Sequence, residues 1–263
     1  MSRTTEVFTL AERPDLEAGL RSLPGTFAEF MHHDALVNRY WGSLFTDFAG
    51  FQIAVCDDGG GILAAGHSIP VLWDGTTEGL PAGLDVVLER GVEDIGRGRA
   101  PTVVSALLAV VPPVYRERGL SSVVLNAMKT IAANHGLGAL IAPVRPTLKE
   151  RYPLTPRGRY VRWLRDDGLP FDPWLRVHRR LGARFLEVAP ESMVIAGTIS
   201  EWEERTGMGF PESGAYIVQG ALQTVEMDLE RDLGVYREPN VWMRHPVGAG
   251  ADARRRQGNL AGR

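Results

Sequence analysis

The sequence has a single cysteine and no excess of positive charge, and each of these properties argues against a class of protein. Cys56 is the single cysteine among 263 residues, which excludes an intrachain disulfide framework and a zinc site built from several cysteines. Basic side chains number 29 against 32 acidic ones, for a formal net charge of −3. This balance does not favour broad nucleic-acid binding.

Long apolar runs are also missing. The longest, residues 102–114, is too short to span a bilayer and is interrupted by Ser105, Pro112 and Pro113. The first twenty residues carry acidic side chains and contain no apolar core of a secretion signal. We therefore expect a cytoplasmic protein without a membrane partner.

Hydrophobic periodicity indicates a mixture of helices and strands. Apolar residues make up 44% of the chain and charged residues 23%, as in an ordinary globular protein. Helical spacing predicts helices over residues 15–23, 80–98, 120–135 and 171–185, and one helix or a helix pair over 26–45. Apolar runs predict a hairpin over residues 51–73 and buried strands over 102–111 and 138–144. With no internal repeat, one α/β domain over residues 1–245 is expected, with a disordered tail over 246–263.

The stretch "VPPVYRERGLSSVVLNAM", residues 111–128, joins a predicted buried strand to a predicted helix through a tight turn. Free backbone N–H groups and the positive end of the helix dipole make such a turn an anion site, best suited to phosphate. Gly119 permits close approach of the anion, and Arg116 and Arg118 add positive charge. Pro112 and Pro113 carry no N–H, so the strand leaves its ladder there and opens a slot beside it.

The spacing Arg116-x-x-Gly119-x-Ser121 resembles the phosphate-binding motif of the GNAT N-acetyltransferase superfamily. Ser121 stands where that family has glycine or alanine. The resemblance implies a GNAT-like fold: a mostly antiparallel central sheet, splayed at a slot for coenzyme A, with helices on both faces. It also implies acetyl-CoA or another acyl-CoA as cofactor, bound by Val110, Val111, Arg116, Glu117, Arg118, Gly119, Leu120 and Ser121. The amides near Val110 and Val111 would polarise the thioester carbonyl.

A second resemblance lies in "VHRRLGARF", which is similar to the family's helix ending Tyr-x-x-x-Gly-Phe. His178 occupies the tyrosine position, where the resemblance implies a general acid that protonates the departing thiolate. The alternative is a histidine that only packs on an amphipathic helix.

A general base is not evident, because the strand over residues 102–111 carries no acid. The segment "EFMHHDALVNRYW" supplies candidates for the acceptor pocket, which are Glu29, His33, Asp34 and Tyr40. These residues also fit the surface of a helix pair. Adjacent histidines on a helix diverge by about 100°, so no metal site is expected.

An arginine-rich insertion at about residues 145–170 interleaves basic side chains with Tyr152, Tyr160 and Trp163. Three interpretations stay open. The segment is a solvated one whose aromatics pack on the core, or a lid over the acyl or acceptor pocket with Trp163 at the acceptor. It can also be a binding surface for nucleic acid, an anionic substrate, an acyl-carrier protein or the 3′-phosphate of CoA.

The predicted function is acyl-CoA-dependent transfer of an acyl group to an amine, or to a hydroxyl or thiol, by direct attack on the thioester. The acceptor is a small molecule or a carrier-bound group. Two alternatives remain open at this stage: a non-catalytic acyl-CoA-binding protein, and a thioester decarboxylase or S-acyltransferase that acts on a carrier protein. Residue patterns do not indicate an oligomeric state.

Overall fold

The computed structural model describes residues 5–23 and 27–248. Within these ranges nine strands form one sheet in the order β1-β2-β3-β4-β5-β9-β8-β7, and β6 pairs with β9 off this path. The strands are β1 (Glu6–Thr9), β2 (Gln52–Cys56), β3 (Ile62–Val71), β4 (Val103–Val110), β5 (Ala139–Val144), β6 (Arg184–Gly197), β7 (Gly214–Tyr216), β8 (Val225–Asp228) and β9 (Leu233–Pro246).

Eight α-helices connect or cover these strands in the described ranges. They are α1 (Glu17–Ser22), α2 (Ala35–Tyr40), α3 (Ser43–Thr46), α4 (Leu84–Gly96), α5 (Leu120–Asn134), α6 (Arg157–Tyr160), α7 (Pro173–Arg180) and α8 (Ile199–Thr206). None of the described helices has the length and apolar character needed to cross a membrane.

Helices pack on both faces of the sheet because alternate strand residues point to opposite sides. On one face, which we call the α5 face, the buried stripe of α5 meets Val104 of β4, Leu140 of β5 and Met243 of β9. On the other face, which we call the α4 face, α4 and the N-terminal helices cover Val103 and Ile141. The sheet thereby separates two apolar layers, and its central strands are buried on both sides.

The strands β4 and β5 form the parallel pair of the sheet, and they stay paired only briefly. Val104 pairs with Leu140 and Ser105 with Ile141, whereas β4 continues to Val110 and β5 to Val144 without further pairing. A bulge in the β3–β4 ladder, beside His67, bends β4 in this part. The two strands therefore diverge toward their carboxyl ends and leave a wedge-shaped opening, which we call the splay.

The predicted hairpin, the strands β4 and β5 and the helices α4, α5 and α7 are present at the expected places. The segment predicted as one helix or a helix pair over 26–45 forms, from residue 27 onward, a 3-10 turn at Glu29–His33 followed by the short helices α2 and α3. Asp34 interrupts it, because its backbone is extended and its side chain caps α2. Residues 249–263 of the predicted disordered tail lie outside the described residues.

Candidate active site

The turn between β4 and α5 is built to present backbone N–H groups. Glu117 has φ 64° and Gly119 has φ 74°, so two left-handed residues alternate with ordinary ones. Such an alternation forms a concave nest of N–H groups that attracts anions. A left-handed conformation costs a non-glycine residue about 1–3 kcal/mol, and strain of this kind is concentrated at functional sites.

These N–H groups are free to bind a ligand. Among the described residues, no acceptor takes a hydrogen bond from the backbone N–H groups of residues 117–121. The loop is exposed, and a Cβ placed on Gly119 meets no atom within 4 Å. The 15-residue helix α5 starts immediately after it and directs its positive end at the same point.

Two side chains predicted for phosphate binding flank this turn. The guanidinium of Arg118 lies 5.3 Å from the centre of the Tyr115 ring, and its Nη2 donates to the carbonyl of Val114 at 3.5 Å. Arg116 and Glu117 are exposed on the same loop. The loop thus carries two arginines beside the nest, as the sequence predicts.

The splay starts directly beside this loop. Val110 is the last residue of β4, and Val111 follows it without a strand partner. Pro112 and Pro113 cannot donate a backbone hydrogen bond, so no ladder continues past them. An extended ligand that enters here meets the nest at one end and the last β4–β5 pair at the other.

His178 lies on the α5 face, on α7, with only 1% of its surface exposed. Its Nδ1 is 2.8 Å from Nε2 of His245 on β9, and the Trp174 ring packs edge-on against it. His245 pairs in the sheet with Leu140, one residue before the last β4–β5 pair, so the histidine pair lies level with the closed end of the splay.

Burial, reinforced by the neighbouring His245, lowers the pKa of His178 to about 3. The imidazole is therefore neutral near pH 7, so it can contact a ligand as a neutral hydrogen-bonding ring and not as an ionised acid. Nε2 of His178 is buried and no described residue bonds it, whereas His245 also interacts with the backbone of Leu181. Because buried ring nitrogens normally have partners, Nε2 of His178 is a candidate for ligand contact.

The residues predicted for the acceptor pocket do not come together. Glu29 and His33 form an exposed pair, with Oε1 and Nε2 separated by 3.5 Å. Tyr40 directs its hydroxyl at Glu89, at 3.4 Å. Asp34 is buried on the α4 face, where its Oδ1 accepts from the N–H of Val37 at 2.8 Å.

Trp163 packs inside the arginine-rich insertion. Its ring centre lies 5.0 Å from that of Tyr152 and 5.0 Å from that of Tyr160, and Phe171 closes the same aromatic cluster. The hydroxyl of Tyr160 donates to Asp172 at 2.9 Å. Five of the six arginines of the segment are exposed around this cluster, and they are Arg151, Arg157, Arg159, Arg162 and Arg165. This geometry favours the interpretation as a folded, solvated segment.

A buried ion pair ties this insertion to the sheet. Arg145 follows β5 directly, and its Nε is 2.5 Å from Oε1 of Glu238, which is fully buried on β9. The hydroxyl of Tyr236 donates to the other oxygen of Glu238. Lys149 donates to the carbonyls of Tyr152 and Leu222, and desolvation lowers its pKa to about 8. Since every member has a partner, the cluster fixes the insertion in place.

Several buried polar groups near the splay escaped the sequence analysis. On β3, beside the bulge in its ladder with β4, Nδ1 of His67 lies 3.1 Å from Oε1 of Gln52, and burial lowers the pKa of His67 to about 4. Ser105, in the last β4–β5 pair, has a buried hydroxyl that no described residue bonds. Asp85 at the start of α4 and Asn240 on β9 are also buried. In the sequence Asp85 resembles an ordinary acid in the first turn of a helix, and Asn240 resembles an ordinary strand residue, so neither stands out.

Metal chemistry finds no support in the side chains. In residues 5–23 and 27–248 no group of three or more histidine, cysteine, aspartate or glutamate side chains could hold an ion. The splay and the nest suit an acyl-CoA instead. Its pyrophosphate would lie on the nest and its pantetheine arm in the splay.

The fold agrees with solved structures of this type. The loading GNATL domain of CurA from Lyngbya majuscula superimposes with a TM-score of 0.57 over 94% of this chain and 98% of that domain, at 16% identity. The GphF GNAT-like decarboxylase in complex with isobutyryl-CoA gives a TM-score of 0.52 over 93% of this chain and 100% of that one, also at 16% identity.

Sequence similarity extends this relation. The chain is 30% identical over 272 residues to the arginine N-acetyltransferase avaD of Aspergillus versicolor, covering 91% of this chain and 93% of that protein. No model of a known protein family matches the chain. The chain belongs to the GNAT superfamily, and it is an acyl-CoA-dependent acyltransferase that acts on an amine.

Proposed function

We propose that the protein transfers the acetyl group of acetyl-CoA to the amine of arginine or of a small molecule that carries a guanidinium group. The relative in Aspergillus versicolor supports this acceptor, because its similarity extends over nearly the whole of both chains. The observation that carries the cofactor assignment is the nest of free N–H groups at residues 117–121, placed at the mouth of the splay.

The chain's own residues have separable tasks in this proposal. The backbone N–H groups of residues 117–121 bind the pyrophosphate, and Arg116 and Arg118 add charge-assisted contacts. The open edges of β4 and β5 hold the pantetheine arm, and the amides near Val110 and Val111 lie along this arm at the mouth of the splay. Bound in this way, the cofactor presents its carbonyl carbon near the last β4–β5 pair.

The acceptor enters from the α4 face, opposite α5. Its neutral amine nitrogen forms a bond to the carbonyl carbon, and the bond from that carbon to sulfur breaks. The departing thiolate takes up a proton and the amine gives one up, so the protons balance. Because the amine attacks the thioester directly, no covalent enzyme intermediate is required. His178 stabilises the departing sulfur through an N–H hydrogen bond at the closed end of the splay.

A coupled thiol assay tests this proposal. We expect release of free CoA from acetyl-CoA in the presence of L-arginine, and a product heavier than arginine by one acetyl group in mass spectrometry. Lysine, agmatine and citrulline serve as comparison acceptors. If none of these amines releases CoA, while acetyl-CoA still binds, the proposed acceptor is wrong and the non-catalytic alternative is favoured.

A further inference from the structure

The segment that leads into α4 lies on the wall of the splay. Nε1 of Trp242 donates to the carbonyl of Pro81 at 3.1 Å, and Trp242 pairs with Pro143 in the second half of β5. This half of β5 has no partner on the β4 side. The segment before α4 therefore lies against β9, beside the open half of β5.

Two hydrogen bonds fix the start of α4 at this place. The N–H of Leu84 donates to Oγ of Ser192 at 3.0 Å, and Nδ2 of Asn240 donates to the same oxygen at 2.8 Å. Asn240 immediately precedes Val241, which pairs with the last residue of β5. Gly83 is required for this approach, because a Cβ there would lie 2.0 Å from Cα of Ser192.

Two buried carboxylates meet beside this anchor. Asp85, in the first turn of α4, is 5% exposed, and Asp34 is 1% exposed. Oδ2 of Asp34 accepts from the N–H of Val194 at 3.2 Å, and that same N–H also interacts with Asp85. The two carboxylates are thus neighbours through Val194, and the charge of Asp34 disfavours the charged form of Asp85.

Neither acid has a cationic partner. Among the described residues, no lysine, arginine or histidine forms an ion pair with Asp34 or Asp85. Asp34 caps α2, and Asp85 accepts from the N–H of Val86 at 2.6 Å in addition to its interaction with the N–H of Val194. Buried acids are normally paired with a cation, so an uncompensated pair is unusual.

A second, independent feature points to a missing donor. Asn240 is 2% exposed, its nitrogen is engaged with Ser192, and no described residue donates to its Oδ1. Oγ of Ser192 also accepts from the N–H of Leu84, the residue before Asp85, so Ser192 joins Asn240 to the start of α4. A buried amide oxygen without a described donor, and two buried acids without a cation among the described residues, suit a group that has several N–H donors and positive charge.

We propose that Asp85, together with Asp34 and the side-chain carbonyl of Asn240, binds the guanidinium group of the acceptor. A guanidinium presents five N–H donors in a planar fork and stays charged at all relevant pH values, which suits several oxygens at once. This inference rests on the proposed function, and it assigns the specificity for a cationic acceptor to the start of α4.

The substitution Asp85→Asn tests the assignment, because it keeps the shape and removes the charge. The contact with the guanidinium is the same in the ground state and in the transition state. Its loss therefore raises KM and leaves kcat unchanged. We expect KM for arginine to rise about 10- to 100-fold, as for a lost hydrogen bond to a charged group. The KM for acetyl-CoA should stay unchanged, and the preference for arginine over the neutral isostere citrulline should fall by a similar factor.

Asp94→Asn is the matched control. Asp94 is equally buried on the same helix, but it accepts from the N–H of Leu72 at 3.0 Å and from Arg99 at 3.4 Å, away from the splay. This variant should keep the arginine-to-citrulline ratio of the wild type even where its stability falls.

The possible outcomes are distinguishable. If the wild type acetylates arginine and Asp85→Asn keeps both the KM and the ratio, the guanidinium site is wrong and the proposed function stands. If the wild type acetylates no guanidinium-bearing amine, the proposed acceptor is wrong and the inference falls with it.

Discussion

Removing the charge of Asp85 should stabilise the unliganded protein above pH 6. Burial raises the pKa of Asp85 from 3.8 to about 6, with a smaller contribution from the charge of Asp34, against the opposing effect of the Val86 N–H. A folded-state pKa above the unfolded value means that the native state binds more protons, so stability is lost as the pH rises from about 4 to about 6. Above that range the wild type bears the full cost of a buried, unpaired carboxylate.

The size of the effect follows from the two pKa values. Their difference corresponds to at most about 3 kcal/mol, and screening by nearby solvent reduces the expected gain to about 1–2 kcal/mol. Urea unfolding of the wild type and Asp85→Asn should therefore differ by about 1–2 kcal/mol at pH 8, or about 2–8 °C in Tm. At pH 4 the difference should vanish, because the wild-type carboxyl is then protonated.

Arginine should reverse the order of stability at pH 8. A cation bound between the acids stabilises the wild type by mass action and leaves Asp85→Asn nearly unaffected. A variant that is less stable than the unliganded wild type at pH 8 would refute the reasoning, because it would show that the helix dipole and the Val86 N–H already compensate the charge.

Three further predictions concern other buried groups. His178→Phe should lower turnover about 10- to 100-fold while acetyl-CoA affinity, measured by titration calorimetry, is kept; unchanged turnover would remove His178 from the mechanism. Glu238→Gln should cost about 3 kcal/mol in urea unfolding, because the buried guanidinium of Arg145 loses its counter-ion; a loss below about 1 kcal/mol would contradict this. Burial lowers the pKa values of His67, His178 and His245 to about 4, 3 and 4, so the unfolded state binds more protons below pH 6.5 and stability should fall from there toward pH 4; constant stability over that range in circular-dichroism melts would contradict the burial argument.

Local signals predicted the strand, the turn and the helix that border the splay. The turn at residues 116–121 combines a glycine, two arginines and a following helix, and each of these acts through its nearest neighbours in the chain. The hairpin from β2 to β3 likewise depends on consecutive turn residues, Asp57 to Gly61. Structural features that depend on residues close together in the chain can be predicted from the sequence without knowledge of the fold.

Of the proposed acceptor site only Asp34 was a candidate from the sequence, because the parts of the site are distant in the chain. Asp34 caps α2, Asp85 lies in α4 and Asn240 in β9, and their shared contacts with β6 bring them together. In sequence Asp85 is an acid in a first helical turn, where acids are common. Its lack of a counter-ion is a property of the packed structure alone.

The central claim, that the splay and the nest bind an acyl-CoA, is tested most directly by titrating acetyl-CoA into three proteins: the wild type, Gly119→Glu and Gly136→Glu. Both glycines border α5, with φ values of 74° and 69°, and a Cβ on either one meets no neighbouring atom within 4 Å. Both substitutions therefore impose the same backbone strain, and only the one at Gly119 places a carboxylate against the pyrophosphate. We expect the wild type and Gly136→Glu to bind acetyl-CoA alike and Gly119→Glu to lose binding. Equal affinity in all three proteins, or no binding in the wild type, would contradict the site.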